Sequence, residues 1–162
     1  MNCVFMESTF LIIFTVIKIY EIPKLYGDVY DPMQYDATMK RIMDSDSNIR
    51  NCIVADTEGE IKAVMHRDGI RNYLSDEETS ESLKRAATSW KARKQLSSKI
   101  GPGQYAVAAF EKLTRMTFPA GDNHLVFVSM ASNPVRTDYH QGGREDVVEH
   151  VLNILSGNTT KN

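Results

Sequence analysis

The chain has 162 residues, a length that favours one domain able to bury a hydrophobic core without disulfides or metal ions. Hydrophobic residues make up 42% and charged residues 25%, and the net charge of −2 argues against nucleic-acid binding through bulk positive charge. Its two cysteines, Cys3 and Cys52, lie far apart and fit neither a zinc site nor a disulfide framework. A reduced, cytoplasmic setting is therefore expected.

The N-terminus carries an apolar segment, FLIIFTVIKIY, at residues 10–20. It is shorter than the roughly 20 residues of a membrane-spanning helix, and it lacks the positive start and the cleavage site of a signal peptide. Three interpretations stay open: a segment upstream of the true start, with Met33 as an internal start, an element that packs on the domain, or a weak membrane anchor. We therefore divide the chain into an apolar N-terminal extension (1–27), a single domain (28–157) and a disordered tail (158–162). Membrane contact is expected only if the extension exists and is exposed.

The first predicted helix begins after Asp31, a capping residue, at Pro32, whose fixed φ suits the first turn. Its apolar side chains recur at helical spacing. They are Tyr35, Met39, Ile42 and Met43.

The stretch NCIVADTEGEIKAVMHR, residues 51–67, predicts a β-hairpin. The apolar run at 52–55 is typical of a strand buried on both faces, and the DTEG turn at 56–59 supplies an aspartate and a glycine. The second strand, residues 60–66, alternates between two faces. One of these faces is predicted to carry Ile61, Ala63 and Met65.

A long helix is predicted over residues 75–100, because Ser75 and Glu78 form a capping box and GPG follows as a stop signal. One apolar arc should face the sheet, and it contains Leu83, Ala86, Ala87 and Trp90. A second apolar arc on one helix indicates a second neighbour, such as a partner helix. This arc and two lysines at its edge form the candidate partner interface: Lys84, Lys91, Ala92, Leu96 and Ile100.

Three more strands are predicted at residues 104–110, 113–119 and 124–130, and a last amphipathic helix at 144–155. The order after residue 31 is therefore helix, two strands, long helix, three strands, helix. We predict an α+β fold in which one five-stranded antiparallel sheet carries helices on a face.

This αββαβββα order and the hairpin CIVADTEGEIKAVM, with its Asp-x-x-Gly turn, resemble the roadblock/dynein light chain superfamily over residues 32–157. The resemblance implies a roadblock/profilin-like sheet with the long helix between strands 2 and 3. It also implies a non-enzymatic homodimer that pairs through the long helix and a sheet edge, and acts as a scaffold or regulatory subunit, in many relatives with a small GTPase. No functional residue is transferred from the family. The chain is also similar to small archaeal proteins, and that similarity implies no function.

A small-ligand sensor domain, in the manner of PAS or GAF domains, is the alternative function, since these domains also build a five-stranded sheet against helices. It predicts a cavity between sheet and helices. The residues expected to line that cavity are Tyr105, Phe110, Phe127 and Met130.

No catalytic, cofactor-binding or metal-binding residues are predicted, and an enzyme is not indicated. The four histidines lack metal-type pairing, no Gly-x-Ser-x-Gly motif occurs, and GPG at 101–103 follows a helix instead of opening one. The loop HQGGRED opens the last helix, where Asp138, His140 and Arg144 lie near free amides that can hold an anion. An ordinary loop and helix start is the favoured interpretation there, because every helix has such an N-terminus.

Overall fold

The computed structural model describes residues 32–132 and 144–157, and its elements follow the predicted order with one additional short helix. The helices are α1 (Pro32–Ser45), α2 (Asp76–Lys94), α3 (Ser97–Ile100) and α4 (Arg144–Leu155). The strands are β1 (Ile49–Asp56), β2 (Ile61–His66), β3 (Ala106–Ala109), β4 (Leu113–Ala120) and β5 (His124–Ala131).

Three sequence predictions concern parts of the chain outside the described residues. They are the N-terminal extension (1–27), the loop that contains Asp138 and His140, and the tail (158–162). The interpretations given for these segments stay predictions. Within residues 32–132 and 144–157, no helix combines the length and the apolar character that crossing a membrane requires.

The five strands form one antiparallel sheet in the order β2-β1-β5-β4-β3, which confirms the predicted fold. β1 and β5 lie at its centre, and all four residues from Cys52 to Ala55 are buried, as the continuous apolar run predicted. Burial raises the pKa of Cys52 to about 12, so its thiol stays protonated and behaves as a small apolar group.

Helices cover both faces of the sheet, whereas the sequence prediction placed them on a face. The reason lies in β1, where Cys52 and Val54 point to one side and Ile53 and Ala55 to the other, so both sides need cover. α1 and α4 pack on the first face through Met39, Ile42, Met43, Val147, Val148 and Val151. α2 packs on the second face through Leu83, Ala87 and Trp90, with Ala86 partly buried beside them, as predicted.

The predicted alternation in β2 is wrong at Ile61. The register shifts between Val54 and Ala55, which leaves Lys62 as an extra residue on β2 and pairs Ile61 with Ala55. A bulge of this kind turns the following side chain to the opposite face. Ile61 therefore shares the α2 face with Val64, while Ala63 and Met65 pack on the α1/α4 core; this bulge was not visible in the apolar pattern.

The predicted capping box at the start of α2 is present. The Glu78 amide donates to the Ser75 hydroxyl at 3.2 Å, and the Ser75 amide donates to the Glu78 carboxylate at 2.8 Å. The helix ends at Lys94, earlier than the predicted residue 100, and a turn separates it from α3. No residue between Trp90 and Ile100 is buried, so tertiary packing does not extend the helix beyond its apolar stripe.

The DTEG turn joins β1 to β2 and touches the middle of α2. The Asp56 carboxylate accepts from the amides of Glu58 and Glu60, both at 2.9 Å, which gives the turn its shape. Gly59 has φ +87°, and an added Cβ would lie 2.6 Å from the Lys84 Cα. Glycine is therefore required at residue 59 for two reasons: the positive φ of the turn and the close approach of the helix backbone.

We expect Gly59→Ala to lower the free energy of unfolding by about 2–4 kcal/mol, because backbone strain and a clash with the helix act together. Gly121→Ala is the matched control, since Gly121 has φ +64° and nothing within 4 Å of an added Cβ. It should cost only the conformational penalty of about 1–2 kcal/mol. Urea unfolding measures both, and equal losses would show that the contact with α2 contributes nothing.

Candidate functional site

The five residues of the predicted partner interface are all exposed, and they lie along α2 and its C-terminal end. Leu96 lies in the turn between α2 and α3 with 50% of its surface exposed, and Ile100 ends α3 with 80% exposed. Ala92 lies on the last turn of α2. The described part of the chain does not cover these apolar side chains, so they are available to a partner. The interface itself stays a prediction.

Both lysines of that interface contact the β1–β2 turn. The Lys84 Nζ lies 3.1 Å from Glu60 Oε1, and the Lys91 Nζ contacts Glu58 Oε1. Such exposed pairs contribute little stability, but each lysine has a carboxylate partner. The structure therefore gives both lysines of the candidate interface a carboxylate partner within the chain.

β3 is an edge of the sheet, whereas the sequence prediction named a sheet edge without saying which strand forms it. Among the described strands it pairs only with β4. The Phe110 amide donates to the Leu113 carbonyl at 2.8 Å, and since hydrogen-bonded pairs alternate in an antiparallel ladder, the amides of Val107 and Ala109 point to the open side. A short, uncharged strand with free amides can pair with another chain.

The described residues expose nine large hydrophobic side chains, and four of them lie between residues 96 and 107. Two of them lie beyond the end of α2, and we call these the helix-end patch: Leu96 and Ile100. Tyr105 and Val107 lie on the α1/α4 face beside the open edge, since Tyr105 contacts Phe118 and Val107 pairs with Met116. Gly103 lies against Trp90, where an added Cβ would be 3.5 Å from the indole ring. This contact keeps the connection from α3 to β3 close to α2, so the patch adjoins the open edge.

The other five exposed hydrophobic side chains line one cleft with a volume of about 840 Å³. It lies between residues 72–79 and the part of the sheet that α2 leaves bare. We refer to it as the cleft, and these side chains are Ile61, Val64, Tyr73, Leu74 and Phe110.

The floor of the cleft consists of two rows of paired residues that cross the sheet. Val64, Ile53 and Phe127 pair across β2, β1 and β5 and form an apolar row. The neighbouring row is polar and reaches β4; it contains His66, Asn51, Ser129 and Arg115. Because directly paired residues share a face of the sheet, an apolar and a polar surface lie side by side.

The cavity that the sensor alternative predicted is present, but only two of its four residues line it. Phe110 and Phe127 do, whereas Met130 is buried in the α1/α4 core and Tyr105 packs on Phe118, with ring centroids 6.2 Å apart. Met130 was wrongly grouped with Phe127, since residues three apart on a strand point to opposite faces.

Arg115 is a partly buried cation of the cleft. Its guanidinium donates to the Ser82 hydroxyl on α2, and within the described residues no carboxylate lies at ion-pair distance. Partial burial lowers the pKa of Arg115, but an arginine remains charged at any physiological pH. A guanidinium offers five N–H donors, and burying one without a counter-charge costs free energy.

The outer wall of the cleft is the segment that follows β2. Arg50 lies 4.4 Å from the centre of the Tyr73 ring and donates to the Arg71 carbonyl at 2.7 Å, which holds this wall to the sheet. Arg67 fixes its start by donating to three backbone carbonyls at 2.5–2.9 Å. Those acceptors belong to Met43, Asp46 and Ile49.

Residues 32–132 and 144–157 contain no group of three or more histidine, cysteine, aspartate or glutamate side chains placed to hold a metal ion. Cys52 is buried and its thiol is protonated, so it is not suited to act as a nucleophile. Among the described residues, the cleft is thus the surface that best combines charged, polar and apolar side chains. No simple sequence motif marks it, because its residues come from five separate segments.

No protein-family model matches the sequence, and no curated protein matches it. Solved structures do match the fold. A structure described as MglB with tetrameric arrangement gives a TM-score of 0.59 at 15% identity, covering 83% of this chain and 90% of its own. A roadblock/LC7 domain from Streptomyces avermitilis gives 0.55 at 10% identity, covering 75% of this chain and 92% of its own. The gliding protein MglB from Thermus thermophilus gives 0.53 at 15% identity, covering 82% and 95%. The roadblock resemblance seen in the sequence is confirmed at the level of the fold.

We expect Arg115→Met to leave the free energy of unfolding within about 1 kcal/mol of the parent, because the lost Ser82 hydrogen bond is offset by removing an uncompensated buried charge. Arg67→Met provides the contrast and should lose about 2–4 kcal/mol, since its charge serves three carbonyls. Urea unfolding of both variants makes the comparison. Equal losses would contradict the description of Arg115 as uncompensated.

Proposed function

We propose that this chain is a non-enzymatic protein-interaction module that works as a cytoplasmic homodimer, as a scaffold or regulatory subunit. The observation that carries the proposal is the helix-end patch beside the open edge of β3. Both present groups that gain from contact with another chain: apolar surface on one side and free backbone amides on the other.

A second copy of the chain fits this surface better than an unrelated partner for a geometric reason. Two identical strands that pair in antiparallel fashion are related by a two-fold axis, which is the commonest symmetry of homodimers. The same axis would bring the helix-end patch against its own copy. Leu96 and Ile100 are uncharged, and the cations beside them, Lys94 and Lys99, lie at the rim of the patch.

The fold comparisons support the proposal without identifying a partner. MglB was solved with a tetrameric arrangement, so a chain of this fold can associate. The roadblock resemblance implies pairing through the long helix and a sheet edge, and it implies a small GTPase as a further partner.

For this chain we propose the outer surface of α2, from Lys84 to Ala92, as the docking face for such a protein. Binding of candidate small GTPases, loaded with GDP or with a GTP analogue, to the dimer and to a Lys84→Glu variant tests that assignment.

We expect Leu96→Glu to convert the dimer into a soluble monomer, because a carboxylate in the helix-end patch would be buried against the second copy. Arg41→Glu is the control, since Arg41 is exposed on α1, on the opposite face of the sheet. Sedimentation velocity at tens of micromolar reports the mass of each variant. A monomeric parent protein, or a Leu96→Glu variant that remains dimeric, would refute the proposed interface.

Val107→Pro tests strand pairing separately from helix packing. It removes an amide that points away from β4, and proline is tolerated on edge strands at such positions. We expect dimerisation to weaken while the monomer stays folded. Ala108→Pro is the matched control, because its amide faces β4 and its loss should lower the unfolding midpoint. Circular dichroism and sedimentation distinguish the two effects, and an intact dimer in Val107→Pro would limit the interface to the helix-end patch.

A further inference from the structure

The cleft exists because α2 covers only part of its sheet face. The helix is held near the β1–β2 turn by the Gly59 contact, and it packs on Ile53, Ala55, Leu125 and Phe127. At the other end of the strands the sheet face is bare, and Asn72, Tyr73 and Leu74 form a wall along one side of the space. Small-molecule sites typically have about 300–1,000 Å³, so the 840 Å³ cleft has the size of a ligand site.

The floor of the cleft is amphipathic, and this arrangement restricts what can bind. Val64 and Phe110 present exposed apolar surface to the cleft, at 43% and 57%, whereas Ile53 and Phe127 are almost fully buried, at 4% and 5%. Asn51 and Ser129 add polar groups in the adjacent row, where a hydrophobic sheet face would ordinarily carry apolar side chains. A ligand that matches both rows has an apolar body and a polar head.

The charges of the cleft decide the sign of that head. Two carboxylates, Asp76 and Glu111, line it together with three cations, Arg50, Lys112 and Arg115. Arg50 and Lys112 both lie near the Tyr73 ring, at 4.4 and 6.0 Å from its centre, while Arg115 sits at the end of the polar row. Arg115 is partly buried and has no counter-charge in the described residues, so an anion placed there would recover free energy. Arg50 is also partly buried, but it contacts the Tyr73 ring and the Arg71 carbonyl.

We propose that the cleft binds a small amphipathic anion, with its carboxylate, sulfonate or phosphate group at Arg115 and its apolar body against Val64 and the other exposed apolar side chains of the cleft. A guanidinium recognises each of these head groups through two parallel N–H donors. Ser129, the cross-strand neighbour of Arg115, supplies a further hydroxyl donor. The site is separate from the helix-end patch and does not depend on the proposed homodimer.

A matched pair of fluorescent probes tests the proposal on the full chain. The first is 8-anilinonaphthalene-1-sulfonate, which carries an anionic group, and the second is N-phenyl-1-naphthylamine, its neutral counterpart. We expect the parent protein to bind the anionic probe more tightly, and Arg115→Met to weaken that probe by about tenfold, the loss of one charge-assisted contact. The neutral probe should change less than about twofold, because the apolar row is intact.

Two control variants locate the binding. Arg93→Met removes an exposed cation from the last turn of α2, away from the cleft, and should leave both probes unchanged. Leu96→Glu removes the apolar character of the helix-end patch and should also leave both probes unchanged, which separates this site from the dimer surface. Val64→Trp fills the apolar row and should weaken both probes, and its unfolding midpoint shows whether the fold is retained.

Competition identifies the head group. Displacement of the anionic probe by decanoate, by decyl phosphate or by both supports the proposal and distinguishes a carboxylate from a phosphate ligand. Displacement by decan-1-ol alone overturns it, as does absence of probe binding. Equal loss of affinity for both probes in Arg115→Met, with the unfolding midpoint preserved, also overturns it. The guanidinium would then contribute to binding without recognising the negative charge of the probe.

Discussion

The close contact between Gly59 and the backbone of α2 determines how the helix lies on the sheet. Because residue 59 has no side chain, the β1–β2 turn reaches the helix at Lys84, and the flanking glutamates pair with Lys84 and Lys91. The helix is thereby held over the part of the sheet nearest that turn, where Leu83, Ala87 and Trp90 find their apolar partners. Any larger residue at 59 would push the helix away from this position.

This placement has two consequences for the rest of the surface. Since the helix packs near the β1–β2 turn, the opposite ends of the strands stay bare on that face and form the cleft. Since its apolar stripe ends at Trp90, the residues that follow are not drawn onto the sheet, and Leu96 and Ile100 remain exposed beside β3. The cleft is thus the part of this sheet face that α2 leaves bare, and the helix-end patch follows the point where the apolar stripe of α2 ends.

Local signals were enough to predict most of the fold. The capping box, the glycine turn and the apolar spacing each depend on residues a few positions apart, and the structure bears them out at Ser75, Gly59 and Leu83. The bulge that turns Ile61, the early end of α2 and the polar row of the cleft depend on pairing between distant segments. Phe110 and Phe127 could be assigned to a cavity because a sheet packed against helices leaves such spaces. The cations of the cleft could not be predicted, because Arg50, Lys112 and Arg115 come from distant segments with no regular spacing between them.

Phe110 brings the cleft close to the open edge of β3, and this proximity bears on the choice between an interaction module and a ligand sensor. Phe110 follows β3 directly, bonds β4 through its amide and lines the cleft with its side chain. A ligand that contacts Phe110 influences self-association only if it binds the paired and the unpaired states with different affinity. By reciprocity, the dimer would then change ligand affinity by the same factor. The two functions are therefore compatible on this fold, and the coupling free energy between them, zero or not, decides whether the chain responds to a ligand or only assembles.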